Sequence, residues 1–265
     1  MYKFDTIAMG FLIIALSVEF VLMIFYKQKD HVKDVKVNLL IGLCLIVLGF
    51  FMKGVQFSLY SLVYSFSLFK PELSGWLWFV GFLSCDLIHY FYHWLGHRTR
   101  IFWAAHVTHH SSEFLNLSTG FRTNFLHLFY RFLFWTPLCF LGLPPEMIMF
   151  IESITAIDNF LIHTEKVGKL GVFDLIFNSP SNHRVHHGTN SEYIDKNLGG
   201  FLMIYDHLFG TYVKETSTAI YGIKHNIHTN NPVIIITHEY VRLSKDLPMV
   251  KGFRKKIHYL FSPPK

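Results

Sequence analysis

The sequence is poor in charge and in cysteine. Charged residues make up 16% of the 265-residue chain, whereas hydrophobic residues make up 51% and aromatic residues 17%. This balance differs from that of an ordinary soluble domain and favours an integral membrane protein. The chain has three cysteines, all inside apolar stretches and without a CxxC pair: Cys44, Cys85 and Cys139. The sequence therefore predicts neither a disulfide framework nor a thiolate zinc site.

The pattern of charge does not indicate a nucleic-acid-binding surface either. The formal charge is +6, but the basic residues lie beside apolar runs, as they do in the short cytoplasmic loops of membrane proteins. We expect no nucleic-acid partner. Near the end of the chain we expect a basic segment to contact anionic lipid headgroups, through Lys251, Arg254, Lys255 and Lys256.

Five apolar stretches predict membrane-spanning helices. They cover about residues 6–26, 37–57, 75–92, 125–141 and 147–162. The loop after the first stretch contains Lys27, Lys29, Lys33 and Lys36, and a short basic loop favours the cytoplasmic face. Counting crossings from this loop places residues 92–124 and 163–265 on the same face.

The predicted fold class is therefore all-α: a polytopic membrane helix bundle of about four to five spans with a cytoplasmic-side helical cap. We treat residues 1–265 as a single membrane domain. Within it, residues 1–75 form the N-terminal spans, residues 76–212 the catalytic core and residues 213–265 a cytoplasmic C-terminal segment.

Histidine is the residue that the chain has in excess, with 17 against 18 Asp and Glu combined. Three groups repeat a spacing of three or four residues, which on a helix places imidazoles on one face about one turn apart. These groups are His89, His93 and His97, then His106, His109 and His110, then His183, His186 and His187. The span count, made without regard to histidine, brings the three groups to the cytoplasmic side.

So many imidazoles exceed what one metal ion accepts, and the sequence predicts a dinuclear metal site. We expect nine ligands: His93, His97, His106, His109, His110, His163, His183, His186 and His187. No catalytic residue beyond the ligands is predicted. Imidazole alone leaves iron, zinc, copper and nickel open as the metal.

Other polar residues are expected around the ligands, where they would orient imidazoles through the second ring nitrogen or hold a bound water. His89 would lie beside the first group or in a substrate channel, and Asn159 would hold a metal-bound water or pack between helices. The candidate carboxylates are Asp86, Glu113, Asp158, Glu165 and Asp195, each of which could instead cap a helix or form a surface pair.

The order of the motifs HWLGH, HVTHH and NHRVHH, with IHTE between the last two, resembles the fatty acid hydroxylase and sterol desaturase superfamily of membrane di-iron enzymes. The resemblance covers about residues 86–212, and SPSNHRVHHG, YIDKNLGG and YDHLFGTY are most similar to its bacterial and alkylglycerol monooxygenase-like branch. Two positions depart from it. Asn159 stands where some members have another histidine, and His207 stands where many carry arginine.

The resemblance implies two iron ions as cofactors, dioxygen as co-substrate, and hydroxylation or desaturation of a lipid such as a fatty acyl, sterol or alkylglycerol chain. It also implies an external electron donor, either a redox protein or a reduced pterin, since we find no cytochrome b5-like or ferredoxin-like segment in the chain. It favours a bacterial inner membrane over the endoplasmic reticulum, with the active site on the cytoplasmic face.

Two other functions fit the same residues. A zinc-dependent membrane lipid hydrolase would need fewer histidines and usually a carboxylate base beside the metal. A non-catalytic metal- or haem-binding membrane protein is the second, although bis-histidine haem would take ligands from separate spans near the middle of the membrane. Incidental histidines in a structural membrane protein are disfavoured by the clustering. The sequence does not specify the oligomeric state.

Overall fold

The computed structural model describes the backbone of residues 2–264 and the side chains of residue 10 and residues 13–264. Over this part of the chain the regular elements are all helical, with one isolated antiparallel bridge between Phe177 and Leu202. The α-helices are α1 (Tyr2–Phe25), α2 (Lys29–Ser65), α3 (Gly75–Arg98), α4 (Arg100–His110), α5 (His127–Tyr130), α6 (Thr136–Phe140), α7 (Pro145–Leu161), α8 (Phe173–Ile176), α9 (Pro180–His187), α10 (Ile204–Phe209), α11 (Pro232–Asp246) and α12 (Phe253–Phe261). Three 3₁₀ helices cover Leu117–Phe121, Arg131–Phe134 and Leu247–Met249. The all-α prediction is confirmed for the described residues.

One of the described helices, α2, is long and apolar enough to cross a membrane by length and composition, and Ile13–Phe25 is a shorter apolar helix. The predicted second span, residues 37–57, lies within α2, and the third and fifth lie in α3 and at α7. The predicted first span, residues 6–26, coincides with α1, but its side chains at residues 6–9, 11 and 12 lie outside the described residues.

The predicted fourth span, residues 125–141, is wrong as a continuous helix. It divides into α5, the 3₁₀ helix Arg131–Phe134, and α6. Pro137 lies in the first turn of α6 and has no N–H to donate to a preceding helical turn. The Phe132 carbonyl accepts hydrogen bonds from the Tyr60 hydroxyl at 3.0 Å and the Thr136 hydroxyl at 3.2 Å. Together with the Trp135 backbone N–H, which donates to the same carbonyl at 3.2 Å, these side chains satisfy the backbone where the helix breaks.

The largest hydrophobic core joins α2, α3, α6 and α7. Trp135 is its largest buried side chain, at 1% exposure, and its indole N–H donates to the Cys85 carbonyl at 3.2 Å. Both α3 and α7 pack into this core, and the histidines at the end of α3 and just after α7 lie in adjacent groups.

The chain turns sharply between α3 and α4. Thr99, in an extended conformation, is both the residue after α3 and the residue before α4. This single-residue corner folds α4 back towards the last turns of α3, and a Cβ added at Gly96 would lie 3.4 Å from the His106 ring. The histidines at the end of α3 therefore face those of α4.

The third histidine motif forms its own short helix because of local capping. The Ser179 side chain accepts a hydrogen bond from the Asn182 N–H, and Pro180 occupies the first helical turn. Both features favour helix initiation at this point. As a result α9 presents three histidines on one buried face.

Candidate metal centre

The nine histidines expected as ligands lie together in two adjacent groups. The five-histidine group contains His93, His97, His106, His110 and His186. The four-histidine group contains His109, His163, His183 and His187. Within each group the ligand nitrogens lie within 4.8 Å of one another, and every ring is buried except that of His109, which is partly buried. Each group could hold a metal ion.

The spacing of the motifs explains how one helix serves both groups. On α4, His106 and His110 belong to the five-histidine group, whereas His109 belongs to the other. On α9 the pattern is mirrored, with His186 in the five-histidine group and its neighbours at 183 and 187 in the four-histidine group. Residues three and four positions apart are neighbours on one helix face but point to slightly different sides of it. Each helix therefore places histidines in both groups.

In the five-histidine group, hydrogen bonding alone cannot explain how many ring nitrogens lie close to one another. His106 Nε2 lies 3.1 Å from the Nε2 atoms of His93, His97 and His110. A neutral imidazole has one N–H, so one nitrogen cannot donate to three others. His186 Nε2 is buried without a hydrogen-bond partner. A shared cation would satisfy all of these lone pairs.

The four-histidine group has the same character. His163 Nε2 lies 3.1 Å from His109 Nε2 and 2.8 Å from His183 Nε2, and His183 Nε2 lies 3.1 Å from His187 Nε2. Two nitrogens bound at right angles to one metal, each at about 2.1 Å, would be about 3.0 Å apart. The donor set and its spacing therefore fit a metal ion in each group.

Backbone carbonyls fix the orientation of several rings. The Nδ1–H of His93 donates to the Leu198 carbonyl at 2.9 Å, and that of His186 donates to the Lys196 carbonyl at 3.2 Å. His163 Nδ1 donates to the Asn159 carbonyl. Because a carbonyl only accepts, the proton is on Nδ1 and the Nε2 lone pair faces the group.

Burial favours the neutral form of His106, His109, His163 and His186. It is the largest influence lowering the pKa of His106, His109 and His186, and the next is repulsion from neighbouring histidines. Burial also lowers the pKa of His163 to about 4. Neutral imidazole is the metal-binding form, so the rings are ready to bind a cation without first losing a proton.

Asp195 is the predicted carboxylate that lies against a ligand ring. Its Oδ1 is 3.4 Å from His97 Nδ1, and its Oδ2 accepts from Arg98 at 2.9 Å. Burial acts to raise the pKa of Asp195, but the hydrogen bond from His97 and the charge and hydrogen bond of Arg98 outweigh it and lower that pKa. An ionised carboxylate at this place polarises the His97 ring.

The three other expected neighbours, Asp86, Asn159 and His89, each make a different kind of contact. Asp86 orients no imidazole, because its carboxylate accepts the N–H groups of Phe201 and Leu202 at 2.8 and 3.1 Å. Asn159 contacts a ligand through its backbone carbonyl rather than its amide. His89 belongs to neither group: its ring centroid is 5.8 Å from that of His93, and the ring packs on Trp135.

Two of the remaining candidate carboxylates pair with residues outside the nine histidines. Glu113 pairs with the exposed His228 at 3.0 Å, and Glu165 accepts from the Tyr221 hydroxyl at 3.1 Å. These two are surface pairs, as the alternative interpretation held. One oxygen of Asp158 is buried without a hydrogen-bond partner.

Sequence reasoning missed several residues that support the groups. The carbonyls of Lys196 and Leu198 carry no side-chain signal, so no pattern could have identified them. His127, which is not among the predicted site residues, is buried and accepts a hydrogen bond from the Tyr92 hydroxyl. Its position inside an apolar stretch was the available signal.

Comparison with known proteins adds an independent observation. The family described as "Fatty acid hydroxylase" matches residues 78–211, which contain all nine histidines. The chain is 34% identical to the alkylglycerol monooxygenase of Homo sapiens over 90% of this chain and 54% of that protein. It is 37% identical to the alkylglycerol monooxygenase of Danio rerio over 80% of this chain and 48% of that protein.

A bacterial relative is also similar. The ornithine lipid hydroxylase OlsE of Rhizobium tropici is 31% identical over 50% of this chain and 40% of that protein. The chain spans about half the length of the alkylglycerol monooxygenases that it matches. No solved structure matches the chain. These similarities confirm the resemblance that the histidine motifs indicated.

Proposed function

The chain belongs to the fatty acid hydroxylase family, and from this premise we propose that it is a membrane lipid monooxygenase whose two histidine groups each hold an iron ion. The proposed reaction uses dioxygen to hydroxylate a carbon–hydrogen bond of a lipid alkyl chain. Bound iron would supply the activation of dioxygen, which no amino-acid side chain performs. The protein would supply the ligands, the position of the substrate and the exclusion of water.

The observation that carries this proposal is the convergence of nine buried imidazoles into two adjacent groups of five and four. One six-coordinate ion cannot take nine nitrogens. Two ions can, one bound by five nitrogens and the other by four, and coordination positions then remain for water or dioxygen. Structural zinc sites are closed by four ligands that include cysteine in most cases, whereas the three cysteines of this chain lie outside both groups.

The chain's own residues prepare the site for a cation. The carbonyls of Lys196 and Leu198 hold two rings of the five-histidine group in the tautomer that binds metal. Asp195 contributes negative charge at His97, where neutral ligands leave the charge of the metal uncompensated. Burial of both groups excludes bulk water, which protects a reactive centre from side reactions.

A membrane setting is supported by the apolar surface of the long helices. Phe50 and Phe51 on α2 are 78% and 67% exposed, and Trp76 on α3 is 72% exposed. Large side chains of this kind suit lipid contact. Such a setting would let an alkyl chain reach the protein from the bilayer, and a lipid substrate agrees with the names of the relatives.

The proposed cytoplasmic location of the site rests on helix polarity. The histidines lie at the C-terminal ends of α3 and α7, and the N-terminal end of α2 lies at the same region, since Asn38 donates to Ser118 at 3.0 Å. The basic residues Lys29, Lys33 and Lys36 are at this end of α2. They support the cytoplasmic side through the positive-inside tendency. The membrane that we favour is a bacterial inner membrane.

Electrons for the reaction would come from an external donor, a redox protein or a reduced pterin. Hydroxylation with dioxygen places one oxygen atom in the product and reduces the other to water. The substrate C–H bond supplies two of the four electrons, and the external donor supplies the other two. We assign no group of this chain to that supply. We favour hydroxylation over desaturation because the alkylglycerol monooxygenases and the ornithine lipid hydroxylase are the similar proteins.

Oxygen uptake by the purified, iron-loaded protein is the first test. We expect uptake when a reductant and lipids are both supplied, and little when the lipid is omitted. Lipids with ether-linked, ester-linked and amide-linked chains should be compared, because the relatives differ in the lipid that they are named for. A zinc-dependent hydrolase would release product without consuming oxygen.

Isotopically labelled dioxygen then identifies the reaction. A hydroxylase places the label in the lipid, whereas a desaturase sends it to water. Product formed anaerobically by metal-loaded protein would contradict the proposal. The doubly substituted variant His109→Ala/His186→Ala is the inactive control, and His258→Ala, an exposed histidine on α12, is the matched active control.

A further inference from the structure

A short segment supports the four-histidine group from outside. We call residues 117–122 the support segment; it contains the 3₁₀ helix Leu117–Phe121 and then Arg122. A Cβ added at Gly120 would lie 3.5 Å from His163 Nδ1. Arg122 Nε donates to the carbonyl of Thr108, the residue before His109, at 3.2 Å. The segment thus lies against one ligand and beside a second.

A carboxylate on α1 holds both this segment and the residue after His163. Glu19 Oε2 accepts the Leu117 N–H at 2.7 Å, and Glu19 Oε1 accepts the Thr164 hydroxyl at 3.3 Å. The Glu19 side chain is only 5% exposed although its helix is apolar. Burying a carboxylate is costly unless it is hydrogen-bonded, and an ionisable residue inside an apolar helix indicates a function.

The N-terminal end of α2 holds the other end of the segment. Asp34 Oδ1 and Asn38 Oδ1 accept from Arg122 Nη1 at 3.1 and 3.0 Å. Asp34 and Arg122 are 6% and 3% exposed. Removal of one partner would leave the other as an unpaired buried charge, which is strongly destabilising. The contacts therefore constrain the backbone that follows α4.

The five-histidine group is oriented from a different direction. Trp103 packs against three of its rings, and the hydrogen-bond and ion-pair partners described for its rings outside the histidines come from residues 195–198: the Asp195 carboxylate and the carbonyls of Lys196 and Leu198. Glu19 makes its two described hydrogen bonds to residues beside the four-histidine group. The two groups thus have separate supports, although α4 contributes to both.

We infer that Glu19 is a positioning residue for the four-histidine group, through its hydrogen bonds to Leu117 and Thr164. By this inference α1 helps to position the metal ligands, although it lies outside residues 78–211, the part that matches the family. The inference rests on the proposed function only in that the two groups bind metal ions. It does not depend on the substrate or on the reaction.

Glu19→Gln is the decisive variant, because glutamine keeps the shape of the side chain but has one acceptor oxygen in place of two. Glu72→Gln, in an exposed loop, is the matched control. Purified proteins are loaded with ferrous iron without oxygen, and bound iron per chain is measured. We expect about two ions for the parent and for Glu72→Gln. We expect affinity at the four-histidine group to fall about 10-fold or more in Glu19→Gln, as for other residues that orient ligands.

Two ligand variants show which group is affected. His186→Ala leaves the four-histidine group as the complete site, and His183→Ala leaves the five-histidine group. Glu19→Gln should weaken iron binding further in the first background and leave it almost unchanged in the second. Equal losses in both backgrounds would mean that Glu19 serves general stability, and the inference would be overturned. No loss in either background would overturn it as well.

Thr164→Val provides a second route if Glu19→Gln does not fold. It removes one hydrogen bond of Glu19 and leaves the bond to the Leu117 N–H in place. We expect a smaller loss of iron affinity, again confined to the four-histidine group, and an equal effect on both groups would contradict the inference.

Selective loss of iron in a protein that consumes no oxygen would support this inference while the proposed function fails. A parent protein that binds no iron would overturn both.

Discussion

His110 and His187 stack across the boundary between the two histidine groups, with ring centroids 4.5 Å apart and ring planes inclined by 28°. His110 belongs to the five-histidine group and His187 to the four-histidine group. The two groups are therefore in direct contact through stacked imidazole rings. Two metal ions that act together on one dioxygen molecule would have to lie close to each other.

Substitution of single ligands should separate the groups. His109→Ala and His186→Ala each open a coordination position in one group, so we expect iron to fall from about two ions to about one and turnover to fall about 100-fold or more. His258→Ala, on the exposed side of α12, should keep both. Bound iron and oxygen uptake measure the two effects. Equal iron content in all three variants would show that these histidines are not ligands.

Asp195→Asn should weaken the five-histidine group. Asparagine retains an oxygen that can accept from His97, and it tolerates the positive φ of 56° at this residue, but it has no charge. We expect iron affinity at this group to fall about 10-fold. Arg98→Gln, which removes the partner on the other carboxylate oxygen, is the control and should have a smaller effect. An affinity unchanged in Asp195→Asn would exclude a role for the carboxylate charge.

The metal-free protein should lose stability in acid. The pKa values of His106, His109 and His186 lie well below the usual 6.5 because the rings are buried and close together. Below pH 6.5 the unfolded chain therefore binds more protons than the folded chain, so the free energy of unfolding falls as the pH falls and is nearly constant above about pH 7.5. Thermal unfolding in detergent between pH 8 and pH 5 measures this. A melting temperature independent of pH would contradict neutral burial of these rings.

Two glycines on α2 should respond in opposite ways to alanine. A Cβ at Gly42 would lie 2.7 Å from Phe121 Cβ in the support segment, whereas a Cβ at Gly54 has no atom within 4 Å. Gly54→Ala should stabilise the helix by up to about 1 kcal/mol. Gly42→Ala should destabilise the protein by about 1–3 kcal/mol because it overpacks a close contact. Melting temperatures in one detergent compare the pair, and a gain at both positions would show that the contact can relax.

Local sequence determined the parts of this protein that depend on local periodicity. Spacings of three and four residues place His93 and His97, and likewise the histidines of α4 and α9, on single helix faces, because the helical repeat is a property of the backbone itself. Apolar stretches likewise marked α2, α3 and α7. The metal-binding character follows from the imidazole side chain, and the family resemblance follows from the order of the motifs.

The tertiary structure decided the rest. Division of the nine histidines into groups of five and four depends on the corner at Thr99 and on how α9 meets α4, and neither is encoded by spacing within a motif. The orienting carbonyls of Lys196 and Leu198 belong to the backbone, which has the same atoms at every residue and so leaves no trace in the sequence. Asp86 and Asp195 are the same residue type, yet one holds a loop and the other a ligand ring. Long-range packing alone determines which partner each carboxylate meets.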